Sequence, residues 1–382
     1  MTKTTDVVVI GGGVIGSAIA WNLAEQKQQT LLVEKNQPGQ EASAAAAGLL
    51  SVASGRSKRG PMYHLKRASQ QLYPQIIREL EDRTGIDIEY QTVGVLDLIR
   101  TDADEKKYRQ LHELRREQGY PTTWLSADEV RRFEPALTTD VRAAVHFPSD
   151  HHLHNGKLAE AWAKAAAQRG VSLQTGTIVN EARITGDKVA AVRIGEDWVN
   201  TNTVVIAAGA WSRQVGEIFG LTIPVEPAKG QMLAVRTTQL RHVVMWDEHY
   251  LVPRKNGEVV IGSTVEFVGH NKDVTLETIQ LFINRSEALV PGISKVPLSR
   301  FWAGFRPYSP TRRPILCRAP GLENVIIATG HHRNGIVLAP ITGKLVSELI
   351  TTGQTSMSLE PFALPREPLP PPPADESPDE AE

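Results

Sequence analysis

The run Asp6-Val7-Val8-Val9-Ile10 is short, apolar and mostly β-branched, which predicts a buried parallel strand. Gly11, Gly13 and Gly16 follow at once in G-x-G-x-x-G spacing, and Ile15, Ile19 and Leu23 then recur on one face of a predicted helix. A second strand, Thr30-Leu31-Leu32-Val33, ends in Glu34. Two later runs repeat the strand-then-glycine pattern: Thr203 to Ala208 before Gly209, and Asn324 to Thr329 before Gly330. If both join the first sheet, one domain is assembled from distant parts of the chain. Between them an alanine-rich amphipathic helix is predicted over Leu158 to Arg169. Shorter, alternating, turn-bounded stretches such as Gln231 to Arg236 and Glu258 to Thr264 predict a mostly antiparallel second sheet. Helical stretches around Tyr73 to Arg83 and Glu105 to Gln118 precede or enter that second unit, and no internal repeat is apparent.

The opening strand, glycines, helix, second strand and terminal acid come in the order a dinucleotide site requires. Gly11 permits the tight turn, Gly13 lets a pyrophosphate approach the backbone, and Gly16 allows close helix-strand packing. The helix N-terminus would face the anion, and Glu34 could accept hydrogen bonds from ribose hydroxyls while repelling a 2′-phosphate. The alternative is an α/β unit that binds no nucleotide.

Composition narrows the class. With 382 residues, 41% hydrophobic and 22% charged, the chain is expected to fold as about two domains. No stretch approaches the roughly 18 apolar residues of a membrane helix, and the first strand leaves no room for a basic leader. A cytoplasmic, complete chain is the expectation, with no membrane partner. Cys317 is the one cysteine, which excludes an intrachain disulfide framework and a multi-cysteine zinc site. The net charge of −1 hides an acidic, proline-rich end, Pro365 to Glu382, expected to be disordered. Without it the body is slightly basic, too little for a nucleic-acid stripe but compatible with anionic ligands. His151, His152 and His154 lack H-E-x-x-H spacing or a cysteine partner, so they are expected to be solvated loop residues, and no metal is expected. A G-x-S-x-G elbow and a phosphate-binding G-x-x-x-x-G-K-[ST] loop are both lacking.

Arg306 and Tyr250 could grip a small anionic substrate, and Arg333 could contact a cofactor ring or the substrate's amine region. Arg306 follows Phe301-Trp302 and precedes Pro307, which holds it extended, and a guanidinium there can take a carboxylate through two parallel hydrogen bonds. A surface ion pair is the other reading. Tyr250 could offer its phenol to the same carboxylate, or simply pack, and Arg333 lies in the loop after the last strand-glycine run. The alanine-rich segment Ala44 to Gly48 has little bulk, so its backbone can approach a planar ring; a packed helix start is the alternative.

Five motifs in order then carry a resemblance: Glu41 to Gly48, Pro227 to Met232, Tyr250 to Arg254, Phe301 to Pro307 and Gly330 to Ile336. Over Asp6 to about Phe362 the chain resembles the D-amino acid oxidase family of flavoenzymes, and within it the glycine oxidases associated with thiamine biosynthesis. The resemblance implies an α/β fold with a discontinuous Rossmann-like FAD-binding domain (1–85, 145–225, 318–364) and a mostly antiparallel substrate domain (86–144, 226–317). It implies non-covalent FAD, since Cys317 lies beyond the Arg306-Pro307-Tyr308 stretch where covalent relatives carry the linking cysteine. The implied cofactor shell is Gly11, Gly13, Val14, Ile15, Gly16, Glu34, Lys35, Ser43, Ala46, Ala47, Gly48, Leu49, Val179, Ala208, Gly209, His332, Arg333, Asn334, Gly335 and Ile336. A helix starting at Ile336 and running through Gly343 to Leu349 would turn its positive end toward the flavin.

The implied activity is oxidation of glycine, or of sarcosine and D-alanine, to glyoxylate or the 2-oxo acid, ammonia and peroxide, supplying thiamine thiazole synthesis. Arg306, Tyr250 and Arg333 are the implied catalytic set, a small amino acid and oxygen the partners, and a homotetramer one state the resemblance allows. Alternatives are a sarcosine or D-amino acid oxidase, a dehydrogenase using a quinone, an enzyme of modified tRNA nucleosides, and a non-catalytic flavin scaffold.

Overall fold

The computed structural model describes residues 3–55 and 59–365, so the stretch expected to be disordered lies outside them from residue 366 onward. The first apolar run forms β1 (Lys3–Ile10) at the heart of a sheet whose order is β17 (Ile315–Arg318), β18 (Val325–Thr329), β11 (Asp197–Ile206), β1, β2 (Thr30–Glu34) and β8 (Ser172–Thr175). All neighbours on this path are parallel except β17–β18, and a hairpin of β9 (Val179–Thr185) and β10 (Lys188–Ile194) continues antiparallel from β11. The two later strand-glycine runs are β11 and β18, so the sheet does gather distant parts of the chain.

β1 is apolar throughout its second half because both its faces are covered. Val7 and Val9 join a core with residues of α1 (Val14–Glu25), α3 (Pro61–Thr84), α6 (Asn155–Gln168) and α9 (Gly335–Thr351), while Val8 and Ile10 join a second core with the β9–β10 hairpin. α1 and α9 touch closely enough that a methyl group on Gly343 would lie 2.8 Å from the Ala18 carbonyl oxygen. The expected helix near Tyr73 is the second half of α3, which starts earlier, at Pro61 behind the positive-φ Gly60.

The second sheet runs β16 (Leu298–Tyr308), β12 (Glu226–Arg236), β15 (Glu258–Gly262), β14 (His249–Pro253), β13 (Val243–Trp246), β4 (Val95–Ile99), β6 (Ala143–Phe147), β5 (Thr123–Ser126), antiparallel except for β13–β4. α4 (Asp102–Glu117), α5 (Ala127–Phe133) and α8 (Leu276–Glu287) belong with this half, α7 (Ser212–Glu217) follows β11, and α2 (Ala42–Ala45) precedes the short β3 (Leu49–Leu50). The expected breaks at 145 and 318 fall inside β6 and β17: β6 stands in the second sheet and β17 in the first. β16 also continues through Arg306 and Pro307, pairing Arg306 with Ala228, rather than ending before them.

The histidine cluster corrects the expectation of a solvated loop. His151 and His152 form β7, which pairs with β3; His152 is buried, with its Nε2 3.1 Å from the Pro253 carbonyl, and half-buried His154 caps α6. Tyr90 packs against His151, and Pro253 and Arg254 stand beside His152. Among the described residues no group of three His, Cys, Asp or Glu forms a metal site, and no helix is long and apolar enough to cross a membrane.

Burial, with Arg254 adding to it, pushes the His152 imidazole down to about 4, and burial beside α8 does the same to His249, whose Nε2 sits 2.9 Å from Ser286 Oγ. Both rings are neutral in the fold but take up protons near pH 6.5 once unfolded, so the unfolded state binds more protons at low pH. Stability from these two sites should therefore be full above pH 6.5 and fall as pH drops toward 4. Urea melts of wild type and His249→Gln across that range check this: the variant should be less stable at pH 7.5 but lose less on acidification. Parallel pH profiles would contradict it.

Candidate active site

A cavity of about 880 Å³ is lined from both sheets: by the glycine turn, Glu34 and Lys35, by Ala45 to Leu49, by Val179, Ala208 and Gly209, by His332 to Ile336, and by Met232, Tyr250 and Arg306. All the expected site residues line it except Gly16, which stands behind. There a methyl group would sit 1.9 Å from the Gly11 carbonyl oxygen, so Gly16 serves the helix-strand contact. Gly11 takes φ +108°, and a side chain on it would meet the Ala207 carbonyl oxygen at 2.4 Å. Glu34 is buried, its oxygens accepting from the Gly12 N–H (2.7 Å) and the Asn36 N–H (2.9 Å); a carboxylate has lone pairs for further donors. Ser43 has a role that spacing did not reveal: its Oγ accepts from the Val14 N–H at 2.9 Å, at the start of α1.

The alanine-rich segment starts in a helix, as the alternative reading has it: α2 is a single helical turn followed by extended Ala46 and by Gly48 at φ +73°. Its carbonyls are held one after another. Asn155 Nδ2 donates to Ser43 O (2.6 Å) and Ala44 O (2.8 Å), the Trp302 indole to Ala45 O (3.0 Å), and Arg254 Nη2 to Ala47 O (2.7 Å). Arg254 also donates to Leu153 O and, at 3.2 Å, to Asn155 Oδ1; burial pushes its guanidinium down to about 10, still cationic at neutral pH. Gly304 lets β16 approach, since a methyl there would lie 2.3 Å from Ala45 Cβ.

On the second sheet Arg306 lies against Gly230, where a methyl would be 2.4 Å from Nη1. Nη1 donates to Thr264 O (2.9 Å) and Nη2 to Ser263 Oγ (2.6 Å). Tyr250 reaches the neighbouring Gly262, with its hydroxyl 3.1 Å from where a methyl there would stand, and it points at Met232 Sδ, 3.9 Å away. Arg306 thus bonds to Ser263 while Tyr250 stands against the adjacent Gly262, and both line the cavity. Arg333 is brought beside them but forms an ion pair with Glu248, in the turn before β14, a partner the sequence did not flag. His332 sits at φ +48°, and burial together with Arg333, Arg306 and Arg312 holds its imidazole well below the usual range, hence neutral. His249 does not line the cavity; it faces α8.

A family model described as DAO, FAD dependent oxidoreductase, matches residues 6–349. The chain belongs to this family of FAD-dependent oxidoreductases. It is 34% identical over 370 residues to the glycine oxidase of Geobacillus kaustophilus (strain HTA426), covering 96% of this chain and 98% of that protein. It is also 34% identical over 371 residues to the bifunctional protein ThiO/ThiG of Synechocystis sp. (strain ATCC 27184 / PCC 6803 / Kazusa), covering 95% of this chain and 54% of that one. The crystal structure of glycine oxidase from Geobacillus kaustophilus superposes with a TM-score of 0.92 at 33% identity, covering 96% of this chain and all of that one (100%). The chain is an FAD-dependent enzyme related to amino acid oxidases.

The cavity of this flavoenzyme fits the cofactor. Bare glycine backbone at the start of α1 leaves the room and the positive end a pyrophosphate requires, Glu34 offers the ribose acceptor, and the bulk-free 45–48 segment leaves a flat wall. Replacing Arg254 by Met should leave the Ala47 and Leu153 carbonyls without their donor, costing roughly 2–4 kcal/mol, and loosen that wall. Thermal melts and the flavin-to-protein absorbance ratio after gel filtration check this. Unchanged stability and flavin content would contradict the clamp.

Proposed function

We propose that the enzyme oxidises a small amino acid, glycine foremost, to its imine, which hydrolyses to glyoxylate and ammonia as oxygen becomes peroxide. The observation that carries the reading is Arg306, held against Gly230 by Ser263 and Thr264 in the same cavity as the dinucleotide turn. A guanidinium so fixed suits a carboxylate, and the Tyr250 phenol on the far side of Gly262 is a second donor to it. When bound, FAD supplies the two-electron oxidation at Cα and the transfer of those electrons to oxygen. The chain's part is placement: Arg306 and Tyr250 fix the carboxylate end, and Met232 provides apolar wall. Neutral His332 adds no charge beside the arginines. The carboxylate is engaged before and during reaction, so its binding acts mainly on KM, and on kcat only as far as it orients Cα.

Glu34, the α1 N-terminus and the 43–49 and 332–336 segments form the cofactor shell in this reading, and the flavin is non-covalent. Cys317, the single cysteine, is half-buried in β17 and does not line the cavity. A cytoplasmic setting and supply of thiamine thiazole synthesis belong to the same proposal, the latter supported by the likeness to ThiO/ThiG.

Acid precipitation should release all the yellow cofactor into the supernatant; colour retained by the pellet would overturn non-covalent attachment. Arg306→Ala should keep its flavin spectrum but lose roughly 10²- to 10⁴-fold in kcat/KM for glycine. Its preference for glycine over methylamine, which lacks the carboxylate, should nearly vanish. Equal losses toward both amines would remove Arg306 from substrate recognition.

A further inference from the structure

Beside Arg306, and not lining the cavity, lies a partly buried charged network that nothing in the chemistry above uses. Lys229 on β12 is 3% exposed, and its ammonium sits 2.9 Å from Glu266 Oε2 and donates to Asp273 O at 3.0 Å. Glu266 Oε1 accepts from Gln231 Nε2 (2.7 Å) and Thr264 Oγ1 (2.6 Å), while Thr264 Oγ1 itself accepts from the Gln231 N–H (3.0 Å). The main chains of Lys229 and Glu266 also exchange both hydrogen bonds, at 2.8 and 2.9 Å. Residues 263–266 thus extend beyond β15 as a strap along β12, and side chains alternate across it. Ser263, Gly230 and Arg306 line the cavity; Lys229, Gln231, Thr264 and Glu266 do not.

We propose that Lys229 and Glu266 are positioning residues that set the orientation of Arg306 through the 263–264 strap. The proposal rests on the reading of Arg306 as the carboxylate anchor. The strap supplies two acceptors of the guanidinium, Thr264 O and Ser263 Oγ, so a shift of the strap rotates the fork away from the substrate. The Glu266 carboxylate grips it from the other face. Burial alone would raise the Glu266 pKa, yet the bonds from Thr264, Lys229 and Gln231 hold it below its ordinary value, so the ion pair with Lys229 persists at neutral pH. A hydrogen-bonded acid with an opposite charge beside it is a rigid support, whereas a neutral amide leaves the Lys229 charge uncompensated.

The test uses FAD-loaded wild type, Glu266→Gln and the milder Thr264→Val, which removes the hydroxyl but keeps the backbone carbonyl that Arg306 uses. Acetate binding is read from the change in flavin absorbance without turnover, and steady-state kinetics are measured with glycine and with methylamine. Both variants should retain flavin and weaken acetate binding, with Glu266→Gln about tenfold weaker. KM for glycine should rise by a similar factor, with kcat changed much less and methylamine kinetics unmoved. Unaltered acetate affinity and glycine KM in both variants would overturn the positioning role, as would equal losses with both amines. Should Glu266→Gln fail to fold, Thr264→Val decides by the same two readouts. Failure of the underlying reading shows separately, as wild type that neither binds acetate nor prefers glycine to methylamine.

Discussion

The 43–47 segment must run as bare backbone beside a cavity and still satisfy its own carbonyls. Side chains there would fill the space, so the hydrogen bonds must come from elsewhere. Asn155 comes from the helix covering the first sheet, and Trp302 and Arg254 come from the second sheet. An unpaired buried carbonyl costs about 1–3 kcal/mol, so the donors that shape this wall also join the two halves of the fold. The glycines around it follow as consequences: Gly304 admits Ala45, and Gly48 avoids the Leu153 carbonyl.

The same device recurs at the substrate end. Arg306 is oriented by a strap that is itself bonded to β12, and Gly230 clears its place. Arg254 and Arg306 therefore do different work with one chemistry, the first turned toward the Ala47 and Leu153 carbonyls and the Asn155 amide oxygen, and the second toward the cavity. Crowding cations in one region would be unfavourable, and two features moderate it. Glu248 pairs with Arg333, and His332 stays neutral among the arginines.

Four strands of the first sheet, β1, β2, β11 and β18, were legible in the sequence because they are continuous apolar runs, three of them closed by glycine, a local signal; β8, β9, β10 and β17 carry no such mark. β4, β5, β6 and β13 were not legible either, since four- or five-residue strands are defined by partners far along the chain. Arg306 and Tyr250 could be named from their motifs, and both line the one cavity. The uses of Asn155, Arg254 and Ser43 were hidden because their hydrogen bonds span 29 to 207 positions, and no pattern marks which carbonyl a donor will meet. The histidines of β7 were misread for the same reason: the partners of their rings, Tyr90 for His151 and Pro253 for His152, lie 61 and 101 positions away.

In the proposed reading one cavity holds the cofactor against the alanine-rich wall and a substrate carboxylate on Arg306. A crystal structure of the FAD-loaded enzyme soaked with glycolate, which keeps the carboxylate and lacks the amine, checks this arrangement. The glycolate carboxylate should lie within hydrogen-bonding distance of the Arg306 guanidinium and the Tyr250 hydroxyl, and the flavin ring beside Ala45 to Gly48. Glycolate bound away from Arg306, or a flavin that does not touch that segment, would contradict it.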